Sequence, residues 1–167
     1  MEEYKEFYAN NSDSEEVKVR DAVDPGKLAK GNRTTAAPGG IEWIGDSDAE
    51  YIFGTSWADI LKGDTGDDLL YGFEGDDTIE GGYGIDKLFG DAGDDWLFAD
   101  SEANLGCSDC HLSEPNFLSG GSGNDRLYGA IGEDILFGGP GHDLLYAGYG
   151  VEGRPTTRHL YGDDGDD

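Results

Sequence analysis

Hydrophobic and polar positions along the middle of the chain recur with a period of nine residues. Four units follow one another from Gly63, namely GDTGDDLLY, GFEGDDTIE, GGYGIDKLF and GDAGDDWLF, and three more, GGSGNDRLY, GAIGEDILF and GGPGHDLLY, begin at Gly120. Every unit has an aliphatic residue at its eighth place and aspartate at its sixth. A short fixed period predicts a solenoid, in which one small structural unit is stacked on copies of itself.

The last three places of each unit predict a short β-strand, because triplets such as KLF from Lys87 and ILF from Ile135 are rich in strand formers and too short for a helical turn. The six places before them predict a turn. A turn and a strand make half a coil, so residues eighteen apart are expected to stack. The eighth-place column then faces a shared interior. Its members are Ile52, Leu61, Leu70, Ile79, Leu88, Leu97, Leu118, Leu127, Leu136, Leu145 and Leu160.

The sixth-place column would bring carboxylates close together, which requires a cation to neutralise them. Glycine at the first, second and fourth places is expected to adopt positive φ and to bring carbonyl oxygens around one point, which a Cβ would obstruct. Carboxylate and carbonyl oxygens suit calcium better than zinc or copper. The column contains Asp59, Asp68, Asp77, Asp86, Asp95, Asp125, Asp134 and Asp143, with Glu50 and Glu152 one step beyond its two ends.

Charge supports a cation as the ligand. The chain has 37 acidic and 11 basic residues, and 29 of the acidic but only 5 of the basic residues follow residue 40. Such a surface repels nucleic acid and anionic membranes and attracts divalent cations. A solvated acidic face that serves solubility alone is the alternative, but solubility requires no period of nine. No stretch of the sequence predicts a membrane span.

Three units, GGYGIDKLF, GGSGNDRLY and GGPGHDLLY, match the pattern GGxGxDxUx at every defined place. In these repeats the chain resembles the RTX, or hemolysin-type, calcium-binding family, over about Gly45 to the last residue. The resemblance implies an all-β fold, namely a right-handed parallel β-roll (β-solenoid) with eighteen residues per coil and two loop insertions. It also implies several calcium ions, each held between two turns one coil apart.

The resemblance further implies the ligands of each ion: carbonyl oxygens near the start of two turns and the sixth-place aspartates of both. Pairs eighteen apart with the fullest glycine pattern are the leading candidates, and Asp59 and Asp134 are additional ones. The implied sites are Asp68 with Asp86, using carbonyls of Gly63, Thr65, Gly82 and Gly84; Asp77 with Asp95, using Gly72, Glu74, Asp91 and Gly93; and Asp125 with Asp143, using Gly120, Ser122, Gly139 and Gly141.

Insertions at about 99–115 and 152–158 interrupt the period. Leu118 and Leu160 return to the eighth place after them, so both insertions are predicted to be loops that leave one turn while the roll continues. The first contains CSDCH from Cys107 to His111, which fits a c-type haem attachment, part of a zinc site, or two thiols that are free or form a local disulfide. The thiols are favoured, because no second axial ligand and no second zinc-ligand pair lie nearby.

Residues 1–40 differ from the rest. They mix 8 acidic with 6 basic residues, lack sustained apolar periodicity and end in Pro-Gly-Gly, which predicts a flexible N-terminal arm or linker before a roll at 41–167. No apolar secretory signal follows Met1. The last residues, GDDGDD from Gly162, stop inside a unit, so the roll is expected to be truncated at its C-terminal end.

Aromatic ninth-place residues predict two stacks. They are expected either to brace neighbouring strands or to form a face that another domain or protein covers. The first stack contains Phe53, Tyr71, Phe89 and Phe137, and the second contains Phe98, Tyr128, Tyr146 and Tyr161.

Catalysis has no support in the sequence, because it contains neither a Gly-x-Ser-x-Gly elbow nor an HExxH motif. GYGVEG from Gly148 fits a dinucleotide fingerprint, but no helix is predicted after it. Two hypotheses remain. The chain is a calcium-triggered folding module of an exported protein, serving secretion, stability or surface interaction, or it is the C-terminal part of a secreted toxin, protease or lipase whose catalytic domain lies outside it. The resemblance implies an extracellular location and type I export.

Overall fold

The computed structural model describes residues 32–35 (backbone only), 39–100, 115–148, 158–165 and 167. Within them the chain forms thirteen β-strands and no helix. Consecutive strands from β2 onward alternate between two sheets. The first sheet contains β1 (Asn32–Thr35), β2 (Ile41–Ile44), β4 (Ile60–Thr65), β6 (Thr78–Tyr83), β8 (Trp96–Phe98), β10 (Arg126–Tyr128) and β12 (Leu144–Tyr146). The second contains β3 (Tyr51–Phe53), β5 (Leu69–Glu74), β7 (Lys87–Ala92), β9 (Phe117–Ser122), β11 (Ile135–Phe137) and β13 (His159–Tyr161).

All strand pairs are parallel except β1 with β2. Residues eighteen apart are partners, as in Leu61 with Ile79. The roll also continues in register across both insertions, since Leu97 pairs with Leu127 and Leu136 with Leu160. Two sheets of stacked parallel strands confirm the β-roll that the nine-residue period predicts.

Strands in the middle of the roll are longer than predicted. Five of them, β4 to β7 and β9, have six residues rather than three, because pairing continues into the second and third places of the next unit. Asp64 pairs with Gly82 and Phe73 with Asp91 at the second place. The turn is therefore shorter than six residues, and much of its backbone belongs to the sheets.

Eighth-place side chains from both sheets meet in the interior and form one hydrophobic cluster. From Leu61 to Leu136 these side chains are 0% exposed. Seventh- and ninth-place side chains lie on the outer faces, where Lys62 forms a salt bridge with Glu80 at 2.8 Å. Each half coil contributes one eighth-place side chain to the interior. These side chains therefore pack against those of the coils above and below and against those of the opposite sheet.

Truncation of one eighth-place side chain is expected to destabilise the roll strongly. Leu88→Ala should lower the free energy of unfolding by about 2 to 5 kcal/mol, because Leu88 is 0% exposed and the cavity cannot collapse between paired coils. Leu144→Ala is the matched control, since this seventh-place side chain is 55% exposed, and a change within about 0.5 kcal/mol is expected. Urea denaturation in calcium measures both, and equal losses would contradict an interior at the eighth place.

Aromatic rings form a continuous ladder on the second sheet. Phe53 stacks on Tyr71 with ring centroids 5.7 Å apart, and Tyr71 stacks on Phe89 at 4.6 Å. At β9 the ninth place is serine, and the seventh-place Phe117 joins Phe89 to Phe137 instead. The rings cover one another, which supports their bracing role.

Tyr161 lies in this ladder, next to Phe137. The sequence analysis had placed it in the other stack, with Phe98, and that prediction was wrong. The ring of Tyr161 is 4.5 Å from that of Phe137, since strands alternate strictly between the sheets and β13 follows β12 of the first sheet. The second ladder, on the first sheet, contains Phe98, Tyr128 and Tyr146.

Strand β1 covers the edge of β2 with antiparallel pairing and belongs to the stretch predicted as an arm. The pattern of residues does not predict this strand, and the domain boundary near residue 40 stays a prediction. The CSDCH segment, the GYGVEG segment after Gly148, and Glu152 lie outside the described residues.

Candidate metal centre

Sixth-place side chains form two rows, one at each edge of the roll, because the turns leading into the two sheets alternate. The first row precedes the first-sheet strands and the second row precedes the second-sheet strands. The first row contains Asp59, Asp77, Asp95, Asp125, Asp143 and Asp167, and the second contains Glu50, Asp68, Asp86, Asn116, Asp134 and Arg158.

Hydrogen bonds join neighbouring members of a row. As far as Asn116 in the second row and Asp143 in the first, the amide N–H of a sixth-place residue donates to Oδ1 of the sixth-place side chain one coil later. All three predicted pairs are joined in this way: Asp68 to Asp86 at 2.9 Å, Asp77 to Asp95 at 2.8 Å, and Asp125 to Asp143 at 2.9 Å.

A fourth pair spans the first insertion. The amide of Asp95 donates to Oδ1 of Asp125 at 2.8 Å, although the two residues are 30 apart in the chain. Spacing of eighteen residues could not reveal this pair. Its signal was the return of Leu118 to the eighth place, which implies that the coil before the insertion stacks on the coil after it.

Seven carboxylates of these rows leave one oxygen without a partner, namely Oε1 of Glu50 and the Oδ2 atoms of six aspartates. These oxygens are buried, and the described residues offer them no hydrogen bond. An ionised carboxylate oxygen in this position is costly unless a cation binds it. The six aspartates are Asp68, Asp77, Asp86, Asp95, Asp125 and Asp143, which are the members of the four pairs.

Beside four of the six first-place glycines, a carbonyl oxygen of the next coil lies near the same point as the orphaned Oδ2. A Cβ added to Gly90 would lie against Oδ2 of Asp95 and 2.6 Å from the carbonyl oxygen of Gly120 in the next coil. At Gly63 the same position meets Oδ2 of Asp68 and the carbonyl oxygen of Gly81. The space is therefore lined by oxygens from two coils and excludes a side chain, and the donor set suits calcium.

First-place glycines are required for this close approach, which a Cβ would obstruct as the sequence analysis predicts. The other part of that explanation, positive φ, was wrong at this place. Positive φ occurs at the second and fourth places, as at Gly82 (108°) and Gly84 (135°), whereas Gly63 and Gly90 do not adopt it. The second place is left-handed even at Asp91, where φ is 75°.

Burial raises the pKa values of the paired carboxyl groups. Desolvation is the largest cause, and repulsion by nearby carboxylates adds to it. The pKa of Asp68 and of Asp125 is raised to about 6, that of Asp95 to about 7, and that of Asp77 and of Asp86 to about 8. The folded chain therefore holds these groups in an environment that favours their neutral form until a cation binds.

Asp59 and Asp134 differ from the paired aspartates, because the protein itself satisfies both of their carboxylate oxygens. Oδ2 of Asp59 accepts hydrogen bonds from the amide and hydroxyl of Thr55. Oδ2 of Asp134 accepts one from the amide of Ala130 at 2.7 Å. Both were additional candidates from the sequence, and the orphaned oxygen that marks the other six is absent from them.

The implied carbonyl ligands lie where adjacent coils touch. Carbonyl oxygens of Gly63 and Gly72 face the first-place glycines of the preceding coil, and those of Asp91 and Gly93 face Gly121 and Gly123 of the following coil. The Ser122 carbonyl accepts the amide of Gly93 at 2.9 Å. The other implied positions, Thr65, Glu74, Gly82, Gly84, Gly120, Gly139 and Gly141, occupy the same turns, and the ligand assignment stays a prediction.

A second, exposed ladder runs outside the first row at the fifth place, and the sequence reasoning missed it. Oδ1 of Asp76 accepts the amide of Asp94 at 3.0 Å, and Oδ1 of Asp94 accepts the amide of Asn124 at 2.8 Å. These bonds run in the opposite direction to those of the sixth place. Hydrogen bonds on both sides of the turn thus hold adjacent coils together.

No group of three or more His, Cys, Asp or Glu side chains converges in the described ranges. Any ion here would therefore be held by two carboxylates and by main-chain carbonyls. No helix in the described part of the chain is long and apolar enough to cross a membrane.

Comparison with family models matches the RTX calcium-binding nonapeptide repeat (4 copies) at residues 44–72, 71–105 and 113–148. The chain belongs to this family. The match supports a calcium-binding repeat module, and the roll of an RTX module is a structural, non-catalytic element. Comparisons with curated proteins and with solved structures gave no match.

Proposed function

We propose that this RTX roll binds calcium between adjacent coils and folds when it does so. The observation that carries the proposal is the set of six buried Oδ2 atoms without a hydrogen-bond partner, each beside a first-place glycine. Calcium would supply positive charge and would be coordinated by oxygens from both coils. The chain's own residues position these oxygens through the amide-to-carboxylate hydrogen bonds of each row.

The pairs of aspartates in which both Oδ2 atoms lack a hydrogen-bond partner are the proposed sites. There are four: Asp68 with Asp86, Asp77 with Asp95, Asp95 with Asp125, and Asp125 with Asp143. Three lie in the first row and share aspartates, so ions bound along this row would be neighbours and would bind cooperatively.

The biological role that fits such a module is ordering of an exported protein in a calcium-rich extracellular medium, with export by a type I system. Type I export is a property that family membership suggests for this chain. The second candidate, a C-terminal part of a secreted toxin, protease or lipase, places catalysis outside these residues. The exposed outer face of the first sheet, with Trp96 42% exposed, is the surface proposed for contact with another domain.

Substitution of one orphaned carboxylate should weaken calcium binding while keeping the backbone ladder. Asp77→Asn retains Oδ1, which accepts the amide of Asp59 at 2.7 Å, but removes the charge beside Gly72. We expect fewer bound ions and at least about tenfold weaker apparent affinity, equivalent to about 1.4 kcal/mol. Isothermal titration calorimetry measures both.

Asp76→Asn is the matched control, because the adjacent side chain lies on the exposed fifth-place ladder and its Oδ1 accepts the amide of Asp94. Its titration should match that of the unmodified chain. Equal effects of the two substitutions would mean that calcium responds to net charge and not to the buried pairs.

A further inference from the structure

Two of the six sixth-place residues in the second row are not acidic. Asn116 is 5% exposed, its Oδ1 accepts the amide of Asp86 at 2.8 Å, and its own amide donates to Oδ1 of Asp134 at 2.9 Å. It therefore keeps the geometry of the ladder with a neutral side chain. The first row has aspartate at the corresponding coils, where Asp95, Asp125 and Asp143 follow one another.

Both carboxylate oxygens of Asp134 already accept a hydrogen bond from the protein. Oδ1 accepts the amide of Asn116 and Oδ2 accepts the amide of Ala130, whereas the paired aspartates leave Oδ2 unsatisfied. Its electrostatic surroundings differ as well. Burial raises its pKa, but the charged neighbour that acts on it is Arg158, which lowers the pKa, whereas neighbouring carboxylates raise the pKa of the paired aspartates.

Arg158 occupies the sixth place one coil beyond Asp134. Pairing of Ile135 with His159 and the hydrogen bond from the His159 amide to the Asp134 carbonyl fix this register. Its Nε and Nη2 atoms are buried, and the described residues provide no hydrogen bond to them. A buried guanidinium requires a compensating anion, and the adjacent sixth-place carboxylate supplies one.

We propose that the second row binds calcium only as far as Asp86, and that beyond it the neutral Asn116 and the guanidinium of Arg158 take over the role of the metal. This inference rests on the proposed calcium binding and adds to it a division of the roll. The first row depends on metal along its length, whereas the last coils of the second row carry their own charge compensation.

Asn116→Asp tests the proposal as a gain of function. It would pair a new carboxylate with the orphaned oxygen of Asp86, so we expect one more bound calcium per chain than in the unmodified protein. Asn124→Asp is the matched control, because it adds the same charge on the exposed fifth-place ladder, and its calcium count should equal that of the unmodified chain. Equilibrium dialysis of the full chain against calcium, followed by atomic emission, gives the count, and circular dichroism verifies folding.

The outcomes separate this proposal from the underlying one. No bound calcium in the unmodified chain overturns both. Calcium bound by the unmodified chain but no gain in folded Asn116→Asp, or the same gain in Asn124→Asp, overturns the division of the second row alone. Should Asn116→Asp not fold, Arg158→Gln decides. A melting temperature lowered by several degrees more than in Arg126→Gln, with an unchanged calcium count, supports the proposal, and equal shifts overturn it.

Discussion

Removal of calcium is expected to unfold the roll, and its return to refold it. In chelator at neutral pH, the far-ultraviolet circular dichroism spectrum should show a disordered chain, and the emission of Trp43, Trp57 and Trp96 should shift to longer wavelength. Millimolar calcium should restore the β-sheet spectrum. This is the largest effect that the structure predicts, because it concerns the whole fold.

The physical reason is an excess of negative charge, which burial of the hydrophobic interior does not compensate. The formal net charge of the chain is −26, and seven buried carboxylate oxygens of the described residues have no hydrogen-bond partner. A site that holds calcium at about one hundred times its dissociation constant adds roughly 2.7 kcal/mol to stability, so four sites add roughly 11 kcal/mol. Whole domains are stable by only about 5 to 15 kcal/mol, and the bound ions are therefore expected to decide whether the roll forms.

Magnesium is the control ion for this experiment. It prefers a smaller octahedral shell and retains its water, whereas the space beside the first-place glycines offers carbonyl and carboxylate oxygens at fixed positions. At equal concentration magnesium should leave the chain largely disordered. A spectrum that chelator does not change would show that the roll needs no metal.

Most of the fold could be predicted because the repeat fixes both the interior and the register. In each unit the eighth-place residue must be buried and the sixth-place residue must stack on its neighbours. The eighth-place column, which begins at Ile52, therefore determines the two sheets, and the sixth-place column, which begins at Asp59, determines the two rows. Both insertions were correctly predicted to leave the register intact, since an eighth-place residue returned after each. Deviations arose where the chain departs from the period, as at Tyr161, which was assigned to the wrong stack.

The site was predicted less completely, because spacing identifies sequence neighbours and not spatial ones. The pair of Asp95 and Asp125 lies across an insertion, and Asn116 carries no charge that would mark it as a member of the column. Which carboxylates have an orphaned oxygen depends on local amides, such as that of Ala130, and no sequence pattern reports these bonds.

Acid is expected to replace calcium as the agent that folds the roll. The pKa values of the paired aspartates are raised in the folded chain, to about 6 for Asp68 and about 8 for Asp77 and for Asp86. Groups of this kind bind protons more tightly when folded, so their contribution to stability is complete below the ordinary value near 4 and is lost as the pH rises through the folded values. Metal-free protein should therefore fold near about pH 5 and unfold by about pH 8.

Asp77→Asn provides a test of this reasoning, because its effect should change sign with calcium. In calcium the substitution removes a ligand and lowers the melting temperature. In metal-free protein it replaces a carboxyl group that resists ionisation with a neutral amide of the same shape, so it should shift the acid-induced folding transition to higher pH. Circular dichroism across the pH range measures the transition, with protein from which calcium and chelator have been removed. The pH is kept above the sequence pI of about 4.1, so that the protein remains soluble. Destabilisation in both conditions would mean that Asp77 supports the roll by packing, and that its charge is not what calcium and protons neutralise.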